Sequence, residues 1–443
     1  MKSLIFLILT FCVENIKCLK IIGKTVIKIV SSNYTTPMKR QTYSKEKIAG
    51  LEVTRATNKT ILLPFKQATY SEVLEDKQAY KAFLEKQITV HPELFPNNIA
   101  EGWSFYGITR TSVKQGIKVR RIQTKSDNEV WQIHPSFVMP YMTCDTQTAD
   151  DILFLAKWAP DWALAHVFGK DVMTIYRPRT SLGRYNLVGT TVKNPAKIPN
   201  DVGADEKHSQ ISGEKVYIAT TAGEHCFLGA SVSPGAGEEE LTQAYRQFQR
   251  EAQQVRPEYQ PSTVNTDGWK ATMKAWTTLF PSICIIQCFL HGILSIKNVA
   301  TKATTKLYEQ IANKAWQVYY QATTKQSFSQ RLRRLREWGT TLAKSPLKDK
   351  LMKLCEKKAW FLPAYDFAKC LRTSKMIDRL MRGLDKYLFA RQYFHGTLVS
   401  AEYGVRAYCL LSNFRPYNPA TVRKTEGSHS PFERLNGLVV LHM

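Results

Sequence analysis

TVNTDGWKAT, residues 263–272, decides how this chain is read. The β-branched Thr263 and Val264 lead what reads as a buried strand, which stops abruptly on Asp267, Gly268 and Trp269. A carboxylate at the tip of such a strand is costly unless something cationic meets it, so the stretch asks for a partner. Downstream, KATMKAWTTLF (270–280) has helical spacing and SICIIQCFL (282–290) reads as a second strand. Upstream, ADEKHSQISG, EKVYIATTAG and EHCFLGASVS (204–233) are three strand candidates parted by Ser-Gly and Ala-Gly-Glu turns. EEELTQAYRQFQREAQQV (238–255) follows as a helix whose acidic first turn suits the positive helix N-terminus. Three strands, then helix, strand, helix, strand and helix predict a mixed sheet with helices packed on it, an α/β domain.

The totals frame this domain. At 443 residues the chain is long enough for two or three domains, and 44% hydrophobic residues exclude a disordered tail. Sixty-two Lys and Arg stand against 37 Asp and Glu, a net charge of +25, which points to a polyanionic partner, nucleic acid before anionic membrane. The surplus concentrates between residues 301 and 400, with 21 Lys and Arg against 7 Asp and Glu. Nine cysteines at irregular spacing give neither a disulfide framework nor a paired zinc knuckle, and a reducing compartment fits them best.

Residues 1–60 read as a leader of uncertain role. Its apolar run SLIFLILTFCV has signal-peptide length, but no small-residue cleavage site follows cleanly and the run is too short to span a bilayer. An amphipathic helix is expected at about 77–92, then a small β-rich piece over 103–139. Between about 146 and 180, Thr148 is placed to cap a first helix, Ala159-Pro160 breaks it, and a second ends at Gly169. That succession, with Arg177, Arg179 and Arg184 behind it, is similar to a helix-turn-helix unit feeding a basic loop. The Pro- and Asn-rich stretch 191–203 marks the boundary between a region 61–190 and a domain 200–425.

The element order of the second domain resembles the ribonuclease-H-like fold. VFGKDVM, SLGRYNLVGTTVK, ADEKH, KVYIATT, VNTDGWKAT, CFLH, SFSQRLRRLREW and YFHG, spread over roughly residues 90–435, resemble the DDE/DDD-type transposases of bacterial insertion sequences. The fold implied is an α/β ribonuclease-H-like mixed sheet with an all-helical insertion at about 292–370, preceded by a mostly helical DNA-binding region. Asp205 and Asp267 match the first two acid positions. Asp378, in RTSKMIDRLM behind a Thr-Ser pair suited to capping, is the expected third acid, and Glu402 is the runner-up. Where related sequences carry a small polar residue such as Asn, this chain has Lys375, a cation placed to compete for the carboxylates or to point at DNA. Asp205 and Glu206 point to opposite faces of a strand, so only one can be a ligand.

The chemistry implied is metal-dependent DNA cleavage and strand transfer at the ends of a mobile element. Mg²⁺ (or Mn²⁺), as two ions roughly 4 Å apart on Asp205, Asp267 and Asp378, neutralises the entering and leaving oxygens of a phosphodiester. The alternative is a remnant that binds element ends without cutting. The resemblance also implies double-stranded DNA as partner, homo-oligomers on that DNA, no membrane, and a cytoplasmic, nucleoid-associated location. Leu332, Leu335 and Trp338 form one face of a basic helix, leaving Arg331, Arg333 and Arg334 to hold the DNA backbone. Cys288 and His291 lack a second ligand pair, so no zinc site is expected there.

Overall fold

The computed structural model describes residues 60–110, 116–138, 144–425 and 427–437. The expectations for the leader therefore lie outside the described residues, apart from Thr60. No helix among the described residues is long and apolar enough to cross a membrane. Two compact units divide after Ser181.

The first unit holds β1 (Thr60–Leu63), α1 (Tyr70–Glu75), α2 (Lys77–Val90), β2 (Trp103–Arg110), β3 (Lys118–Thr124) and β4 (Val130–Pro135). These strands form one sheet in the order β1-β4-β3-β2, with β1 parallel to β4 and the other pairs antiparallel. Ile61, Leu63, Tyr80, Leu84, Ile122 and Ile133 are fully buried between this sheet and the helices. Helices outweigh strands over 61–190, as expected, but the β-rich piece is larger than expected, a complete four-stranded sheet. Period-two alternation from Trp103 onward builds a complete sheet whose apolar face α1 and α2 must cover. Asp76 separates the two helices by capping the second, its Oδ1 accepting from the Gln78 and Ala79 N–H groups.

Three helices follow, α3 (Thr146–Ala156), α4 (Asp161–Phe168) and α5 (Val172–Tyr185). The cap of α3 is Asp145, which accepts from Thr148 N–H at 2.7 Å, so Thr148 is the capped residue and not the cap. Gly169 ends α4 at φ +60°, a left-handed turn that glycine adopts freely.

The second unit is built on β5 (Asp201–Ile211), β6 (Glu214–Gly223), β7 (Cys226–Ser233), α6 (Glu238–Val255), β8 (Thr263–Thr266), α7 (Lys270–Leu279) and β9 (Cys284–Gln287). The sheet order is β7-β6-β5-β8-β9; the first three strands form an antiparallel meander, and β8 and β9 run parallel to β5. Five helices then form a separate layer with its own core: α8 (Phe289–Lys297), α9 (Thr305–Gln321), α10 (Lys325–Thr340), α11 (Pro346–Glu356) and α12 (Lys358–Phe361). The chain returns to the sheet with α13 (Lys375–Ala390) and α14 (Leu398–Phe414), and ends in α15 (Pro419–Lys424) and α16 (Pro431–Asn436).

Both faces of the five-stranded sheet are covered. On one side α6 and α7 bring Tyr245, Phe248 and Trp276 against Val264 and Leu228. That approach is close, for a Cβ on Gly229 of β7 would stand 2.6 Å from the Phe248 Cβ. On the other side α13 and α14 bring Leu384, Tyr387, Val405 and Tyr408 against Ile218 and Phe227.

The β7 edge is closed by side chains of α14. Asn413, fully buried, accepts from Phe227 N–H at 2.9 Å and donates to the Phe227 carbonyl at 2.7 Å. Glu402 accepts from Val232 N–H at 2.6 Å. Two side chains thus satisfy backbone groups that an open edge strand leaves exposed.

Candidate active site

Asp267 follows directly on β8, and the register Gly203↔Asn265 between β5 and β8, continued by two residues, sets it beside Asp205. The turn after it requires glycine. Gly268 lies at φ +94°, and the Gln287 carboxamide carbon stands 2.9 Å from where a Cβ would sit. Asp267 Oδ1 accepts from Trp269 N–H at 2.8 Å, which aims the carboxylate back over the strand end.

Asp205 lies mid-strand on β5, with Oδ1 accepting from Glu206 N–H at 2.9 Å. Burial pushes its carboxyl up to about 7; Asp267 pushes the same way, His291 opposes, and Asp378 adds to the rise. Two of the aspartates named from the sequence, Asp267 and Asp378, therefore both act on the third, Asp205. Asp378, in the first turn of α13, accepts from Ser374 Oγ at 2.9 Å. Ser374 makes no capping bond to the helix backbone, contrary to the expected Thr-Ser cap. Its hydroxyl goes to the carboxylate instead, and its N–H to Cys288 Sγ at 3.1 Å.

Glu206 faces the opposite way. Its Oε1 accepts from Tyr245 Oη and Thr272 Oγ1, each at 2.6 Å, on the side covered by α6 and α7. Glu402 is committed to Val232, to Ser231 Oγ at 3.2 Å and to Arg406, whose guanidinium lies 2.9 Å away. It is a residue of α14 that serves the β7 edge.

Cys288 and His291 enter through Ser374. Ser374 Oγ lies 3.3 Å from His291 Nδ1 and accepts from the Cys288 thiol at 3.1 Å. The hydrogen bond with Cys288 lifts His291 to about 9 against the effect of burial, and Asp378 and Asp267 add to the rise. Burial pushes the Cys288 thiol up, but His291 and Ser374 together bring it below its ordinary value. A cationic imidazole thus joins the acids, a role that the sequence alone does not assign to His291. The signal that could have found it is the CFLH spacing immediately after β9, where a strand end delivers the first turn of a helix toward the neighbouring strand ends.

Lys375 does not approach the carboxylates. Its ammonium lies over the rings of Trp316 at 5.2 Å and Tyr320 at 5.9 Å, on α9.

The donor set suits a hard divalent cation, since it consists of carboxylate oxygens whose mutual repulsion already disfavours ionisation of Asp205. As the side chains stand, no group of three or more His, Cys, Asp or Glu among the described residues is gathered tightly enough to hold an ion. The acids are coupled, but they are not a ready-made cage.

The six arginines named from the sequence differ. Arg179 is 7% exposed and pairs with Asp161 at 2.6 Å, so it joins α5 to α4 and is turned inward. Arg177 and Arg184 are exposed. On α10, Leu332 and Leu335 are buried while Arg333 and Arg334 are exposed; Arg333 lies 3.4 Å from Glu337, and Arg331 bonds Gln321 and Ser327. The seven described cysteines are free. No protein-family model matches the chain, and no curated protein matches it.

Proposed function

We propose that the second unit is a ribonuclease-H-like catalytic domain and that the protein is a transposase, cutting and joining DNA at the ends of a mobile element. The observation that carries this reading is that Asp267, set beside Asp205 by the β5–β8 register, and Asp378 from α13 both raise the proton affinity of Asp205, though the three lie far apart in the chain. The strand order β7-β6-β5-β8-β9, with an antiparallel meander and two parallel strands, supports the fold. The five-helix layer between β9 and α13 occupies the place expected for the insertion.

Asp205, Asp267 and Asp378 are the residues that would hold Mg²⁺ or Mn²⁺. When bound, such cations supply charge neutralisation at the phosphate and activate a water or a 3′-OH for in-line attack. The chain does the rest. The Gly268 turn aims Asp267, and the Ser374 hydroxyl orients Asp378. His291, raised to about 9, carries its proton at neutral pH and offsets part of the negative charge of the acids. Arg333 and Arg334 offer guanidinium groups to the DNA backbone.

Supercoiled plasmid carrying candidate element ends, incubated with the protein and Mg²⁺ or Mn²⁺, tests the reading. Nicking at the ends, lost on Asp267→Asn, is the expected result. A band shift without nicking overturns it in favour of a protein that only binds the ends.

A further inference from the structure

The segment that delivers Asp378 is tied down on two sides. Toward the sheet, the Leu371 carbonyl accepts from Asn265 Nδ2 at 2.8 Å, the Arg372 carbonyl from Phe289 N–H at 3.3 Å, and Ser374 N–H donates to Cys288 Sγ. Toward the helical layer, its two cations lie on rings. Arg372 sits over Tyr319 at 4.5 Å and Tyr365 at 5.3 Å, and donates to the Tyr365 hydroxyl at 3.2 Å. Lys375 sits over Trp316 and Tyr320 and donates to the Tyr320 hydroxyl at 3.3 Å. Trp316 and Tyr320 stack on each other with centroids 5.5 Å apart and planes at 29°, so they present one continuous surface. Tyr320 is 62% exposed, which burial in a core does not explain.

Lys375 and Asp378 are three residues apart on α13, and side chains at that spacing are neighbours on a helix surface. A lysine that left the rings would have a carboxylate within reach, and its ammonium would occupy the oxygens a divalent cation needs. We propose that the Trp316–Tyr320 stack is a seat that holds the Lys375 ammonium away from the carboxylates, making both rings positioning residues for the cation site at Asp378. The inference rests on the metal reading given above. It assigns a purpose to the lysine that stands where a small polar residue was expected, and it links the helical layer to the third acid.

Mn²⁺ binding to the full-length protein at neutral pH, followed by electron paramagnetic resonance, tests it without any cleavage assay. Trp316→Ala with Tyr320→Ala weakens Mn²⁺ binding roughly 10-fold or more, the usual cost of losing a group that orients a metal ligand. Adding Lys375→Met to that pair restores binding, because the competing ammonium is gone; Tyr320→Phe alone keeps the ring and binds like the wild type. A double variant that binds Mn²⁺ as tightly as the wild type overturns the proposal. So does a triple variant that stays weak, which makes the rings mere packing. If wild-type protein binds no Mn²⁺, or its binding survives Asp267→Asn, the metal reading itself fails. The proposal then falls with it, an outcome distinct from the failure of the seat alone, in which wild-type Mn²⁺ binding is intact and the double variant binds equally well.

Discussion

Asp205 and Glu206 are consecutive residues on β5, both pushed up to about 7 by burial, yet they face two different environments. Glu206 points toward α6 and α7, where Tyr245 and Thr272 donate to it and pull it part of the way back down. Asp205 points toward α13, where its neighbours are further acids that push it higher still. Burial alone therefore does not mark a working carboxylate. What separates the two is whether the surroundings supply hydrogen-bond donors or like charge. A carboxylate held by two hydroxyl donors is finished as a structural element, whereas one pressed by neighbouring acids keeps an unmet demand for positive charge that His291 answers only in part.

The sharpest way to break this contrast is by activity. Asp205→Asn is expected to lower plasmid nicking by roughly 10³-fold or more, whereas Glu206→Gln, which still accepts from both hydroxyls, stays within about 10-fold. Equal losses would erase the distinction. Stability separates the faces next. Gly229→Ala on the α6 side drives a Cβ into Phe248 and should cost up to about 3 kcal/mol in urea unfolding. Gly203→Ala on the α13 side meets Leu371 Cδ1 at an ordinary 3.5 Å and should cost about 0.5 kcal/mol or less.

Titration gives a third and smaller effect. The folded state raises Asp205 from 3.8 to about 7, so between those values it binds more protons than the unfolded chain, and stability falls as pH rises. Below about 3.8 the group is protonated in both states and contributes nothing. Asp205→Asn should therefore gain on the order of 2 kcal/mol over the wild type between pH 4 and pH 8, read from denaturant midpoints without metal. A difference that stays flat across that range would mean that burial and the neighbouring acids do not raise Asp205. Smaller again, Tyr245→Phe removes one of the two donors to Glu206 and should cost about 1 kcal/mol without changing nicking.

The strands and helices from 201 to 287 were legible because their patterns are local: alternation, turn residues, and helical spacing between them. The Asp-Gly-Trp stop was legible for the same reason, since only an unusual turn needs glycine behind a strand-end acid. In the first unit the helix near 77–92 and the β-rich piece were legible, but β1 was not, because it pairs parallel with β4 across some 70 residues, which no window of sequence displays. The capping of α3 moved from Thr148 to Asp145 by a competition between two good caps three residues apart. The joint role of Ser374 and His291 was not legible because the bonds that tie Ser374 to Cys288 and His291 link residues on the two sides of the helical layer. Lys375 read as a hazard in the sequence since the rings that receive it lie more than fifty residues earlier.

Glu402 and Asn413, gripping β7 from α14, have a consequence for how copies of this chain meet. Sheets commonly extend from one molecule to another by recruiting a foreign strand along an unsatisfied rim, the route to swapped dimers and fibrils alike. At Phe227 and Val232 that rim is spoken for by amide and carboxylate groups of the same chain. At those two positions a foreign strand finds no free backbone groups to pair with, which disfavours self-templated growth along this border.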